Sequence, residues 1–176
     1  IHRNLSIENQ VREVKKVRKS NFLVGAAIGV NLKDLERAEE LSKADTNLIV
    51  IDTAHGHTQK VLNMIKKIKK KLKNCTLCAG NIATGKAAKF LADSGVDIVK
   101  VGIGPGSICT TRLVAGIGVP QLSAVMQVKK ALKNYKTKII SDGGIKFSGD
   151  IAKAIAAGAD AVMIGSLFSG TTESPG

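Results

Sequence analysis

The chain has 176 residues, 44% of them hydrophobic, which is enough for one domain with a buried core. Its 27 lysines and arginines outnumber 14 acidic residues, so the formal charge of +13 favours anionic partners. No apolar run is long enough to cross a membrane, and aromatic residues are only 3%, which leaves few stacking surfaces for nucleic acid. Much of the charge lies at 60–73 and 129–138, where the pattern predicts solvated helix faces.

Short β-branched runs alternate with amphipathic stretches along the chain. Residues 1–4 have the pattern of a strand end, and a helix is predicted at 7–17. The predicted strands lie at 23–29, 48–54, 76–82, 98–103, 138–143 and 161–167, and the helices between them at 32–43, 58–72, 84–93, 123–133 and 148–157. Near-continuous apolar strands that alternate with helices are typical of a parallel sheet covered on both faces.

Three helix-to-strand corners share one pattern, in which a small residue is followed by an aspartate and then by a strand. The aspartates are Asp45, Asp97 and Asp160, and Gly95 and Gly158 suit the left-handed conformation that ends a helix. Repeated corners favour a barrel over a Rossmann sheet, whose Gly-x-Gly-x-x-Gly fingerprint is missing.

The number of predicted strands is smaller than a closed barrel needs. A TIM (β/α)8 barrel has eight strands, and about six are predicted here. We therefore expect an α/β fold in which residues 1–176 form the catalytic core fragment of such a barrel, with further elements before Ile1 and after Gly176.

A glycine-rich loop follows the fourth predicted strand and carries a single thiol. Three glycines and a proline at 102–106 precede Cys109, Thr110, Thr111 and Arg112. Such glycines let backbone N–H groups approach an anion, and a nearby cation would lower the pKa of the thiol. From these residues alone, Cys109 is either a covalent nucleophile or a small buried side chain.

The next two strands also end in glycines. Asp142-Gly143-Gly144 follows the fifth strand, and Gly165-Ser166 follows the sixth. Together with Ser107 in the preceding loop, these endings predict a phosphate site made by backbone N–H groups. Asp142 would repel phosphate, so it either accepts hydrogen bonds from a ribose diol or holds its own turn.

Asp52, His55 and His57 follow the second predicted strand. The two histidines are only two positions apart, and no further ligand cluster completes a zinc site. The pattern therefore favours a ribose-binding aspartate with a neighbouring histidine over a metal centre.

Three cysteines are an odd number, which argues against a disulfide framework and indicates a reducing compartment; we expect the cytoplasm. Cys75 and Cys78 have the spacing of a redox or half-zinc motif, but no second pair accompanies them. We expect Cys78 to be a small apolar residue inside a strand.

These motifs resemble the IMP dehydrogenase family closely. The resemblance covers nearly the whole chain and is carried by the segments 102–112, 114–121, 142–145, 165–166 and 170–176. It implies a TIM barrel, a homotetramer, and NAD-dependent oxidation of IMP to XMP in guanine nucleotide synthesis.

The resemblance also implies roles for individual residues. Cys109 would attack C2 of the hypoxanthine ring, hydride would leave to NAD, and Thr111 would help to position the water that hydrolyses the thioimidate. The implied substrate-binding residues are Ser107, Asp142, Gly143, Gly144, Gly165 and Ser166. The implied cofactor-binding residues are Asp52, Thr53, Asn81, Gly102, Ile103 and Gly104. Backbone carbonyls of Gly104, Gly106 and Cys109 would bind a monovalent cation, typically K⁺.

Two features of the family are expected outside these residues. Its mobile flap and water-activating arginine would follow Gly176, and the segment 18–21 leaves no room for the CBS modules that the family usually carries. GMP reductase, which has nearly the same cysteine loop, is the nearest alternative. A non-catalytic nucleotide-binding barrel or a nucleic-acid-binding protein is a further alternative suggested by the charge of +13, and the low aromatic content counts against it.

Overall fold

Six parallel strands form one sheet, and their order in space is their order in the chain. The computed structural model describes residues 1–72 and 75–174, so the predicted loop at Pro175 and Gly176 lies outside the described residues, as does Lys73 of the predicted lysine-rich stretch. The strands are β1 (Gly25–Ile28), β2 (Leu48–Asp52), β3 (Thr76–Ile82), β4 (Ile98–Val101), β5 (Lys138–Asp142) and β6 (Ala161–Met163). Sequential parallel neighbours joined through helices form a half-barrel, which confirms the predicted partial TIM barrel.

The helices are α1 (Ile7–Lys19), α2 (Leu32–Lys43), α3 (Gln59–Lys71), α4 (Gly85–Asp93), α5 (Thr111–Val114), α6 (Gln121–Ala131) and α7 (Ser148–Ala156). Thr58 and Thr84, predicted as first helical residues, are N-caps whose side chains accept backbone N–H groups of α3 and α4. Helix α6 begins directly after Pro120, two residues earlier than predicted, and α5 was not predicted. No described helix is long and apolar enough to cross a membrane.

One hydrophobic core lies between the sheet and its helices. On α3 the buried residues are Val61, Met64, Ile65 and Ile68, whereas most of the lysines on that helix are exposed. Burial of one such side chain contributes about 1.5–3 kcal/mol, so this apolar stripe anchors the helix. The predicted solvated lysine face is confirmed for the described part of α3.

The start of the chain lies beside the edge strand β1. The amino group of Ile1 donates to the Gly25 carbonyl at 2.6 Å, and the Ile1 carbonyl accepts the Ala27 N–H at 2.9 Å. Ile1 therefore continues the sheet hydrogen bonding, in agreement with the predicted strand end.

The structure confirms that the three helix-to-strand corners share one arrangement. At each corner a side-chain oxygen accepts a backbone N–H at or beside the neighbouring strand. Asp97 accepts from Leu77 at 2.8 Å, and Asp160 accepts from Ile139 at 2.9 Å. At the first corner the same role belongs to Asn47, which accepts from Val24 at 2.8 Å.

Asp45 was wrongly aligned with the other two aspartates. Its φ of 63° is left-handed, like the 88° of Gly95 and the 111° of Gly158 at the ends of their helices. Asp45 therefore occupies the glycine position of the repeat, because aspartate is one of the few side chains that tolerate this conformation.

Most strands end before their predicted limits, and the polar residues that follow lie in loops. The sixth strand was predicted to reach Leu167, but β6 ends at Met163, and a 3₁₀ turn follows at Ser166–Phe168. Gly102 (φ 155°) and Gly143 (φ 90°) turn the chain out of β4 and β5. These left-handed values end the extended ladder, so the predicted site residues collect at one rim of the half-barrel.

Candidate active site

Two cavities open at the carboxyl ends of the strands, and Asp142 lines both of them. The smaller cavity, of about 350 Å³, is lined by all six predicted substrate residues: Ser107, Asp142, Gly143, Gly144, Gly165 and Ser166. The larger, of about 740 Å³, is lined by the six predicted cofactor residues together with Cys109 and Thr111. Both volumes are in the range of small-molecule sites.

The predicted cation residues are divided between the two cavities, and a third, larger groove contains none of the predicted site residues. Of the three residues predicted to bind a cation, Gly106 lines the smaller cavity, whereas Gly104 and Cys109 line the larger one. A groove of about 990 Å³ between α1 and α2 is larger than either cavity, but none of the predicted site residues lines it.

Cys109 lies partly exposed in the wall of the larger cavity, not in the core. Its Sγ is 3.2 Å from Oγ1 of Thr111, and the backbone of Thr111 is a further hydrogen-bond partner. These hydrogen bonds, and to a smaller extent the positive charge of Arg112, lower the pKa of the Cys109 thiol. A thiol in this setting forms its nucleophilic thiolate more readily than an ordinary cysteine.

Arg112 braces the loop that carries Cys109. Its Nη2 donates to the Val119 carbonyl at 2.5 Å, and its side chain packs against Gly104 and Gly118. A Cβ at either glycine would collide with the Arg112 side chain. The loop glycines therefore make room for the arginine as well as turning the chain.

The other two cysteines lie away from this loop. All three thiols are unpaired. Cys78 is fully buried in β3, as predicted, and burial raises its pKa to about 12. Cys75 is partly exposed near Lys69, and burial raises the pKa of its thiol. Cys109 is the one thiol whose surroundings lower its pKa.

Lys100 lines the larger cavity and contacts Asp142, which lines both cavities, and it was missed as a site residue from the sequence. It lies in β4 and is only 5% exposed. Its Nζ is 2.5 Å from Oδ2 of Asp142 and 3.2 Å from Oδ1 of Asp52. Burial disfavours the ammonium, but the two carboxylates outweigh burial and raise the pKa of Lys100. A lysine inside an apolar strand was the available signal, since lysine is rarely buried without a partner.

Two amides complete the polar network. Asn81 Nδ2 donates to the Gly102 carbonyl at 2.8 Å and to Asp142 Oδ2 at 2.9 Å. Gln121, which had no predicted role, donates through Nε2 to the Val101 carbonyl at 2.7 Å and to Ser141 Oγ at 3.0 Å. Within the described residues, Oδ1 of Asn81 and Oε1 of Gln121 are buried without a hydrogen-bond partner.

The two histidines beside Asp52 contact aromatic rings. His55 and His57 have ring centroids 6.3 Å apart, and His57 packs edge-on against Phe90 at 4.6 Å. Within residues 1–72 and 75–174, no three His, Cys, Asp or Glu side chains are grouped closely enough to hold a metal ion. Both histidines line the larger cavity, beside Asp52.

The fold and this rim define a class of protein domain, the (β/α) barrel that carries its polar site on the loops after the strands. Residues 1–176 match the IMP dehydrogenase / GMP reductase domain. The chain belongs to this family, which confirms the resemblance found in its sequence motifs.

Several curated relatives share this similarity. The inosine-5'-monophosphate dehydrogenase of Borreliella burgdorferi is 59% identical over 152 residues, which are 86% of this chain and 38% of that protein. The protein of the same name from Streptococcus pyogenes is 58% identical over 155 residues, 88% of this chain and 31% of that protein. One from Chlorobaculum parvum is 55% identical over 153 residues, 87% of this chain and 31% of that protein. The chain spans less than two fifths of the length of each relative.

Proposed function

We propose that this chain supplies the catalytic core of an NAD-dependent IMP dehydrogenase, which converts IMP, NAD⁺ and water into XMP, NADH and a proton. One observation carries the proposal: Cys109, with its lowered pKa, and Asp142, which lines both cavities, lie in one cavity wall. A nucleotide in the smaller cavity and a dinucleotide in the larger one would meet at this wall.

Cys109 is the proposed covalent nucleophile. Its sulfur would form a bond to C2 of the purine, and the resulting sp³ carbon can release its hydrogen as hydride. Water would then add to C2 of the thioimidate, and the sulfur would leave as thiolate. Thr111, whose hydroxyl is 3.2 Å from Sγ, is the proposed residue for positioning that water.

The smaller cavity is the proposed IMP site. Gly143 and Gly144 have left-handed φ values of 90° and 79°. The Gly143 N–H is donated to the Met163 carbonyl at 3.4 Å, so the Gly144 N–H is the backbone donor proposed for the phosphate. Ser107, Gly165 and Ser166 would complete the phosphate contacts. Oδ2 of Asp142 is taken by Lys100 and Asn81, which leaves Oδ1 to accept a hydrogen bond from the ribose.

The larger cavity is the proposed NAD site, and the residues present fit that group. Asn81 lines it, with Nδ2 held by the Gly102 carbonyl and by Asp142 Oδ2. Asp52 has one oxygen on Lys100 and is partly exposed, which suits a ribose diol. Thr53, Gly102, Ile103 and Gly104 complete the proposed cofactor contacts. When bound there, NAD supplies the hydride acceptor.

A monovalent cation, K⁺, is proposed at the Cys109 loop through the carbonyls of Gly104, Gly106 and Cys109. Carbonyl oxygens suit a hard cation, and the Gly106 carbonyl already accepts the Cys109 N–H at 3.1 Å, so it points into the turn. A cation there would stabilise the conformation of the loop that carries the thiol.

Besides IMP, the proposed partners are further copies of the same protein, which together form a homotetramer. The proposed location is the cytoplasm. Large apolar side chains are exposed on the outer helices and their loops, at Leu122, Met126, Phe147 and Ile155. Contacts between copies would remove these apolar side chains from water, and the shortage of aromatic residues argues against nucleic acid.

The test is to mix the purified full-length gene product with IMP and NAD and to follow the absorbance of NADH. Product formation that depends on both ligands supports the proposal. GMP with NADPH is the parallel assay, since the family includes GMP reductase. If NADPH is consumed with GMP and no NADH forms from IMP, the dehydrogenase proposal is wrong and the protein is a GMP reductase.

A further inference from the structure

The Lys100 side chain can reach Asp52 because a glycine lies between them in the sheet. The strand register pairs Asp52 with Gly80 and Gly80 with Lys100, so Gly80 lies between the aspartate and the lysine. A Cβ at Gly80 would lie 2.8 Å from the Cβ of Lys100, so any side chain there would obstruct the lysine. The bare backbone of Gly80 leaves the path by which Nζ reaches Asp52.

The two carboxylates bound by Lys100 both line the larger cavity, and only one of them also lines the smaller cavity. Asp52 lines only the larger cavity, whereas Asp142 lines both. Because both contact one ammonium, their acceptor oxygens lie within about 6 Å of each other, a distance at which two carboxylates repel. The buried ammonium removes that repulsion and fixes one oxygen of each carboxylate.

Asn81 reinforces this arrangement at one carboxylate only. It donates to the same Oδ2 of Asp142 that Lys100 contacts, at 2.9 Å, whereas Asp52 has Arg3 as its other cation, at 4.0 Å. Asp52 therefore depends on Lys100 for its one short ionic contact among the described residues.

We propose that Lys100 is a positioning residue that holds Asp52 and Asp142 in place and couples the contents of the two cavities. The ligands named for the cavities rest on the function proposed above; the ionic bridge itself does not. When a bound ligand moves Asp52 or Asp142, the ammonium that both carboxylates contact changes the position of the other one.

The first experiment measures binding of IMP and of NAD to the full-length gene product by calorimetry. Lys100→Met keeps the approximate length of the side chain and removes its charge. We expect this variant to bind IMP and NAD about tenfold more weakly, or weaker still. Lys100→Arg restores the charge and should recover a large part of both affinities. Lys69→Met is the matched control, because Lys69 forms an ion pair of 2.6 Å with Asp97 outside both cavities. It should leave both affinities unchanged.

A second experiment separates coupling from general damage. Asp52→Asn alters only the larger cavity, and we expect it to change the affinity for IMP when Lys100 is present and to leave it unchanged when residue 100 is methionine. An effect of Asp52→Asn on IMP that is equal in both backgrounds would overturn the coupling. Unchanged affinity for both ligands in folded Lys100→Met would overturn the positioning role.

A ligand-free measurement keeps this inference distinct from the proposed function. Denaturation of Lys100→Met, of Asp52→Asn and of the double variant forms a cycle that reports the ionic bridge by itself. Strong non-additivity supports the bridge even if the wild type makes no XMP, an outcome that would remove the proposed function alone. Additive effects would remove the bridge even if the wild type is an active dehydrogenase.

Discussion

Cys109 lies in the loop after β4 and Thr111 is the first residue of α5, and Sγ of the cysteine is 3.2 Å from Oγ1 of the threonine. The hydroxyl and backbone of Thr111 lower the pKa of the thiol, so the two residues act as one unit. This pairing supports both the nucleophilic role proposed for Cys109 and the water-positioning role proposed for Thr111.

Replacement of the thiol tests the covalent mechanism. Cys109→Ala in the full-length gene product should abolish hydride transfer while IMP still binds, because the contacts proposed for its phosphate and ribose do not involve sulfur. Mass spectrometry of the wild type during turnover should detect a nucleotide adduct on Cys109. Turnover of Cys109→Ala at close to the wild-type rate would disprove covalent catalysis.

The thiol's pKa offers a second prediction. Hydrogen bonding with Thr111 lowers the pKa of the Cys109 thiol, so Thr111→Val should raise that pKa and leave less thiolate at a given pH. The rate of alkylation by iodoacetamide, followed against pH by mass spectrometry, should shift to higher pH. Cys75 is the internal control, because burial raises the pKa of its thiol and Thr111 does not contribute to that shift. An unshifted alkylation profile for Cys109 would contradict the assignment.

The phosphate site can be tested at Ser166. Ser166→Ala should weaken IMP binding by about 1 kcal/mol, the net contribution of one hydrogen bond, or somewhat more because phosphate is charged. Ser20→Ala, at the end of α1, serves as the control and should have no effect on IMP. A phosphate ion bound on the lysines of α3, with none at the rim loops, would show that the assignment is wrong.

Gly80 provides a test of packing beneath the site. Gly80→Ala should lower the free energy of unfolding by about 1–3 kcal/mol, because the new Cβ meets the backbone and Cβ of Lys100. Gly149→Ala is the matched control, since nothing lies within 4 Å of its Cβ position in α7. That change should raise stability by about 0.5–1 kcal/mol. Equal effects of the two variants in urea denaturation would refute the close contact at Gly80.

The six-stranded sheet predicts the behaviour of the isolated chain. Six parallel strands leave β1 and β6 as edges, so residues 1–176 expressed alone should aggregate or unfold without a cooperative transition. When residues 1–176 replace the matching segment of the Borreliella burgdorferi relative, the resulting chimera should fold cooperatively. A cooperative melt and normal XMP production by residues 1–176 alone would contradict this prediction.

Local patterns in the chain were sufficient to predict the order of the strands and of every helix except α5, the parallel half-barrel and the loops at its rim. Hydrophobic periodicity and turn-forming glycines depend on neighbours a few positions away, so they are readable from sequence. The loop with Cys109 and the endings at Gly143 and Gly165 belong to this kind of signal. The roles proposed for those residues came from the family resemblance, because no local pattern in the sequence indicates them.

Tertiary structure alone decided how distant residues meet. Asp52, Lys100 and Asp142 are separated by more than forty positions along the chain, and their ionic bridge depends on the register of four strands and on the bare backbone at Gly80. The equivalence of Asn47 with the corner aspartates likewise appeared only through its contact with Val24. Such contacts follow from strand pairing across the sheet, which no short stretch of sequence encodes.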